Sequence, residues 1–250
     1  MATIGGFMFV KDAIRFDYCF QEAIMSMLEC CDKVVVVDAG SADGTREVLE
    51  EWETKTEKLT VLFYPIEIWD SLHGKTKLAY FQNAAADFLD TDYHLLIQAD
   101  EVLSEDSYKW IRQAVESGVE SVICTRHNLW GSPYTELNVP INRMPCSPQV
   151  VRLSKRGYKT WDDGENIACP SVTFDFVDKI HIWHMGFVRS REVMKEKIIN
   201  MQRNVFEMSP DPKLDGMEVF DWQAWFGPSD LKPIEGNLPR IVQKWAFDRE

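Results

Sequence analysis

Two acidic positions in this sequence sit where a ligand could be held. Asp38 closes the run KVVVV, Lys33–Val37, and opens Asp38-Ala39-Gly40-Ser41-Ala42-Asp43-Gly44-Thr45. Asp100 and Glu101 close the run YHLLIQ. Open parallel sheets bind ligands outside the carboxyl ends of their strands. Gly40 lets a ligand approach the backbone, and a helix start at Gly44-Thr45 offers free N–H groups. For Asp43 and Glu105, capping a helix is the simpler reading. A third group, Asp162, Asp163 and Glu165, lies in WDDGENIACP, which also reads as a plain turn. His181 and His184 are three apart, so on a strand they face opposite sides and do not share one metal. Trp130, in Asn128-Leu129-Trp130-Gly131, reads either as a stacking platform for a bound molecule or as a core tryptophan.

The elements that position these residues alternate. Ile4–Val10 is a short apolar run, and Phe16–Leu28 has helical apolar spacing. KVVVV reads as a strand buried on both faces. Asp43 opens a charged helix to about Lys58. Leu59–Ile66 reads as a strand, Lys75–Leu89 as a helix and Tyr93–Ile97 as a strand. Ser104 opens a helix to about Ser117, and Ser121–Arg126 is a further strand. This is an α/β pattern, a mostly parallel sheet with helices on both faces. In the second half, Gln149–Leu153 and Lys179–Trp183 read as strands around the turn-rich Lys155–Pro170. Ser190 caps a helix to about Glu207. Beyond Ser209 lie five of the 11 prolines and three of the 9 tryptophans, which reads as an irregular but packed tail.

Composition narrows the classes. The chain has 250 residues, 45% hydrophobic and 27% charged, which excludes disorder and fibrous repeats. Lys and Arg number 27 against 40 Asp and Glu, a net charge of −13. Such a chain does not grip a nucleic-acid backbone through its general field, although a local basic groove is compatible with it. Carboxylates can still hold a phosphate ligand through a divalent cation. There is no apolar run long enough to span a membrane, and the N-terminus lacks a signal-peptide pattern. Six cysteines with no C-x-x-C read as free thiols in a reducing, cytoplasmic setting. His73-Gly74-Lys75-Thr76 ends like a phosphate-binding loop, but Trp69 stands where that loop needs glycine. A phospho-accepting receiver domain is excluded by length and by the Gly-Ser-x-Asp-Gly continuation.

Four ordered blocks carry a resemblance. VVVVDAGSADGTREVLEEW resembles the nucleotide-binding segment of inverting family-2 glycosyltransferases with the GT-A fold, usually V-D-D-G-S-x-D-G-T. YHLLIQADEVL resembles that family's strand ending in L-D-A-D-E. KLAYFQNAAADFL resembles the preceding helix with its asparagine, here Asn83. IWHMGFVRSREVMKEK resembles the H-x-G-x-x-R segment of some soluble members. The resemblance implies a GT-A domain over residues 1–208, with a nucleotide-sugar half to about 126, an acceptor half from about 127, and a packed extension over 209–250. It implies a nucleotide-diphosphate sugar donor, UDP- or GDP-linked, and an acceptor glycan or other hydroxyl compound. Asp38, Gly40, Ser41, Asn83, Gln98 and Arg189 would contact the donor. Asp100 and His184 would bind Mn²⁺ or Mg²⁺, and Arg189, Lys195 and Lys197 could meet the diphosphate, unless they form a solvated basic face. Asp163, then Glu165, would be the base that deprotonates the acceptor, which could stack on Trp130.

The departures are specific. Gln98 replaces the first acid of D-x-D, which weakens a metal site unless Glu101 helps. Lys11-Asp12 stands where Asn-Glu is usual, and Ala39 replaces the second Asp of V-D-D-G-S. No Q-x-x-R-W occurs, which argues against a processive polysaccharide synthase. Two rivals follow: a GT-A-like nucleotide-sugar-binding module that has lost activity, and another nucleotide-sugar enzyme, such as a nucleotidyltransferase. The latter is disfavoured because no G-x-G-T-R loop follows the first strand.

Overall fold

A computed structural model describes residues 1–236 and 238–247. Its strands are β1 (Ile4–Val10), β2 (Lys33–Asp38), β3 (Leu59–Phe63), β4 (Tyr93–Leu96), β5 (Glu101–Leu103), β6 (Ser121–Trp130), β7 (Thr135–Leu137), β8 (Gln149–Lys155), β9 (His181–Phe187) and β10 (Leu231–Pro233). Its helices are α1 (Phe20–Cys30), α2 (Thr45–Lys55), α3 (Ile66–Ser71), α4 (Thr76–Phe88), α5 (Tyr108–Glu116), α6 (Arg191–Asn200) and α7 (Arg240–Phe247).

The strands form one mixed α/β sheet. Its first half, in the order β4-β1-β2-β3, is wholly parallel. β1 pairs Val10 with Asp38 and Phe7 with Leu96, so the loops after β2 and β4 leave the same edge on either side of β1. β8 then joins β4 antiparallel and carries the sheet into β6, β7 and β10. β9 runs parallel to β6 and antiparallel to β5. A main core of Ile4, Met8, Ile24, Met27, Val34, Val36 and Leu95 fills one face of the parallel half. Phe7, Val35, Val37, Phe81 and Ala85 fill the other. Continuous β-branched burial of this kind is what a strand covered on both faces requires.

Several boundaries move for local reasons. The expected strand through Ile66 stops at Phe63, because Pro65 cannot donate to the ladder and instead precedes α3. The first helix begins at Phe20, after a turn in which Asp12 and Asp17 have positive φ. Gly44, with φ +98°, rather than Asp43, immediately precedes α2. Asp43 Oδ1 still accepts the Thr45 N–H at 3.1 Å. The side chain of Ser104 caps nothing, while Ser190 Oγ accepts the Val193 N–H at 3.2 Å, as a capping serine should. α6 passes into a π turn over Met201–Val205.

The tail lies against the rest of the chain. β10 pairs with β7, and Val242 and Trp245 of α7 join Leu129, Trp183 and Met185 in a third core. Asn237 and residues 248–250 lie outside the described residues. Among those described, no helix is long and apolar enough to cross a membrane.

Candidate active site

The loop after β2 is built around Asp38. Its carboxylate is buried, and Oδ1 accepts the Ser41 N–H at 3.1 Å. Burial pushes this carboxyl above its ordinary range, against the opposing pull of the Ser41 hydrogen bonds and the Lys11 and Arg46 charges. Gly40 has φ +81°, and a Cβ there would fall 2.7 Å from the Ile66 Cα, so only glycine fits. Ser41 Oγ accepts the Asp12 N–H at 2.8 Å, and Asp12 Oδ1 accepts the Ala42 N–H at 3.0 Å. Lys11-Asp12 thus does structural work: Lys11 Nζ donates to Gly40 O at 3.0 Å and fixes the same loop. Beside this loop, Trp69 stacks on Phe81 at 5.6 Å, with Phe9 and Tyr64 on the same ring. Tyr64 N–H donates to Asp38 O at 2.9 Å, so this aromatic wall begins one hydrogen bond from the loop.

Beyond β4 lies the second acid. Adjacent strands are about 4.8 Å apart, so the ends of β2 and β4 are separated by about 10 Å across β1. Asp100 Oδ2 lies 3.6 Å from His184 Nε2 and 3.0 Å from Lys197 Nζ. β5 and β9 bring the first pair together by pairing Glu101 with His184. His184 Nδ1 faces Asn128 Oδ1 at 3.0 Å, which orients the ring. Lys197 also donates to Gly186 O at 2.9 Å and lies 4.8 Å from the Tyr18 ring. Burial alone would raise the Asp100 carboxyl, but the adjacent Lys197 ammonium and the His184 ring outweigh it and hold it well below the usual carboxylate range. Burial lowers His184, against the opposing pull of the Asp100 charge. Burial and the Arg189 charge together lower Lys197 to about 8.

A buried charge network fixes the loop opposite. Glu101 is fully buried, bound by Arg152 Nη2 at 2.5 Å and Arg126 Nη1 at 3.4 Å. Arg126 Nη2 reaches Glu165 Oε1 at 2.5 Å, and Arg152 Nη1 donates to Glu165 O. These arginines come from neighbouring strands, β6 and β8, and tie residues 163–165 to the sheet. Gln98 Nε2 donates to Gly164 O at 3.4 Å. A Cβ on Gly164, φ +70°, would fall 2.4 Å from Gln82 Oε1, so the loop touches α4 closely. Asp162 is taken by Lys75 Nζ at 2.6 Å. Asp163 Oδ1 accepts only the Glu165 N–H at 3.1 Å, and Asp163 forms no ion pair among the described residues.

The expected site residues therefore separate into two groups. Asp38, Gly40, Ser41, Gln98, Asp100, His184 and Asp163 line the C-terminal edge of the parallel strands or the loop facing it. Four others are engaged elsewhere. Asn83 clamps Thr160, donating to its O and accepting its N–H, each at 2.9 Å, so its amide serves the loop. Glu165 is ion-paired with Arg126 and is not a free base. Arg189 donates to Phe16 O and Met185 O and contributes charge to the site from within the core. Trp130 is buried among Phe187, Phe220, Trp222 and Phe226 and presents no face for stacking. Lys195 reaches Met217 O, so it and Lys197 do not form a solvated basic face.

Sequence reasoning missed Arg126, Arg152, Asn128 and Tyr18. The arginines carried a signal: each interrupts an apolar strand, in SVICTRHNLW and QVVRLSK, and a charged side chain directed into a core implies a buried partner.

The divalent cation implied by the sequence blocks does not fit this donor set. Asp100 and His184 supply two ligands, but Lys197 holds the same Asp100 oxygen. Glu101 is consumed by two arginines, and Gln98 is a neutral amide. Among the described residues, no group of three His, Cys, Asp or Glu side chains is placed to hold a metal ion.

His181 lies on the opposite face from His184. His127 stacks on Trp183 at 4.4 Å, and its Nε2 faces His181 Nδ1 at 3.1 Å. These rings line a cleft of about 970 Å³ with Glu136, Lys232 and Arg240. Its charges are largely paired internally, Glu136 with His127 and Lys232, and Arg240 with Glu29 and Glu105. None of the expected site residues lines it.

No protein-family model matches the chain. No curated protein matches it in sequence. Among solved structures it is similar to S. aureus TarS, with TM-score 0.47 and 14% identity over 79% of this chain and 40% of that one. For TarS 1–349 the TM-score is 0.45, with 15% identity over 84% of this chain and 67% of that one. The complex of TarS 1–349 with UDP gives 0.45 and 13%, over 84% and 68%. The chain thus spans less than half the length of the first of these.

Proposed function

We propose that this protein is a glycosyltransferase that moves a sugar from a nucleoside-diphosphate donor to an acceptor hydroxyl, with inversion at the anomeric carbon. The observation that carries the reading is that Asp38 and the Asp100–His184 pair occupy one edge of one parallel sheet, separated by a single strand. A nucleotide laid along that edge has its base or ribose at Asp38 and its diphosphate at Asp100. The ordered sequence blocks, including the H-x-G-x-x-R segment, support the family-2 assignment, and six free thiols support a cytoplasmic setting.

In this reading Asp163 is the base. It takes the proton of the acceptor hydroxyl, whose oxygen attacks the anomeric carbon from the face opposite the diphosphate. The bond from that carbon to the diphosphate oxygen breaks, and the electron pair leaves with the diphosphate. Cations near Asp100 then face the developing negative charge. Glycans or other hydroxyl compounds serve as acceptors, and the donor base is uracil or guanine.

A second reading, a nucleotide-sugar-binding module without turnover, is favoured by two contacts: Glu165 is ion-paired with Arg126, and Gln98 Nε2 donates to Gly164 O. Incubation with UDP- and GDP-sugars, followed by proton NMR of the anomeric signal, separates the two. Release of sugar or product with inverted configuration supports the transferase. Binding of donor without any release supports the module, and absence of donor binding removes both.

A further inference from the structure

We infer that Lys197, in place of a divalent cation, meets the diphosphate, so that nucleotide binding at this site needs no metal. The inference rests on the donor reading above. Its first support is geometric. The Asp100 oxygen that faces His184 is the oxygen that accepts from Lys197, at 3.0 Å. A metal seated between Asp100 and His184 would have to displace an ammonium that the fold itself holds. Lys197 is buried, fixed by Gly186 O at 2.9 Å and flanked by the Tyr18 ring.

The second support is the count of donors. An ammonium has three N–H groups. Asp100 and Gly186 take two, which leaves one for a phosphate oxygen. The third support is local charge. Asp100 contributes one negative charge, and that charge is met by Lys197 Nζ at 3.0 Å. Lys197 and Arg189 contribute two positive charges, both felt by Asp100. The site is therefore net positive before any ligand enters. A metal site needs the opposite balance, with carboxylates in excess. The adjacent carboxylate, Glu101, is already neutralised by Arg126 and Arg152. An anion is the ligand this balance favours.

Isothermal titration of the whole protein with UDP and with GDP, once in EDTA and once in Mn²⁺, tests this. The expected result is equal affinity in the two buffers. Lys197→Met should weaken binding in EDTA by about 10- to 100-fold, as for a lost charge-assisted hydrogen bond. Lys197→Arg keeps the charge and should retain most of the affinity, which guards against a misfolded Met variant. Binding that appears only in Mn²⁺ overturns the inference while leaving the donor reading intact. Binding in EDTA that Lys197→Met leaves unchanged overturns the role of the lysine. Absence of binding in both buffers overturns the donor reading, and the inference with it.

Discussion

Gly186 has no room for a side chain because His184 stands against it. A Cβ at Gly186 would lie 2.2 Å from His184 Nε2 and 3.1 Å from Asp100 Oδ2. The glycine of His184-Met185-Gly186 is thus a steric requirement of the Asp100–His184 contact. Gly186→Ala should push the imidazole off Asp100 and disturb the carbonyl that holds Lys197. Overpacking of this kind costs about 1–3 kcal/mol. In a thermal melt Gly186→Ala should lower Tm, and the double variant Gly186→Ala/His184→Ala should recover much of the loss. Strictly additive losses would show that the two side chains do not collide.

Arg126 is a second dependency. It is buried between Glu101 and Glu165, and it links strand β6 to the loop that carries Asp163. Removing one member of a buried ion pair leaves an uncompensated charge and costs about 3–5 kcal/mol. Arg126→Met should therefore lower stability by that order in urea unfolding. Its effect should shrink when Glu165→Gln is present, because one of the stranded charges is then gone. Equal effects in the two backgrounds would mean that the Arg126–Glu165 contact does not contribute.

Much of this arrangement was legible from strand endings. Val34–Val37 and Leu95–Ile97 are apolar without interruption, as central strands are, so the acids that trail them emerge at the C-terminal edge of the parallel strands. The placement of Asp38 and Asp100 followed from that alone. His184 was separable from His181 by strand alternation, and the structure sets them on opposite faces. What was not legible depends on partners distant in sequence. Trp130 reads equally as platform or core until Phe220, Trp222 and Phe226 are seen around it. Asn83 looks free until the Thr160 backbone closes on it from 77 residues away. Lys197 looks like one of several surface cations on a charged helix. Only the fold reveals that it is buried against Asp100.

His94 should make stability depend on acid. It is buried in β4, packs edge-on to Phe7, and neither ring nitrogen has a hydrogen-bond partner among the described residues. Burial, with the Arg156 charge, lowers it to about 4 from an ordinary 6.5. The unfolded chain then binds the extra proton first, so the folded state loses stability as pH falls from 6.5 toward 4. Above 6.5 both states are neutral, and the residue costs nothing on this account. His94→Leu should remove that slope. The difference in Tm between His94→Leu and the parent should widen as pH drops through this window. Parallel curves across it would rule out His94 as the titrating group.

Asp163 and Glu165 sit two residues apart but should fail differently. Glu165 carries an ion pair with Arg126, so Glu165→Gln should lower Tm while changing turnover mainly through instability. Asp163 has no ion pair among the described residues, and its carboxylate accepts one backbone N–H. As the proposed base, Asp163→Asn should lower kcat by about 10²- to 10⁴-fold. Donor affinity, measured by titration with nucleoside diphosphate, should stay unchanged, because the proposed diphosphate end of the site, at Asp100, His184 and Lys197, does not include Asp163. A variant Asp163→Asn that turns over normally would move the base elsewhere. One that loses donor affinity in proportion to kcat would make Asp163 a binding residue instead.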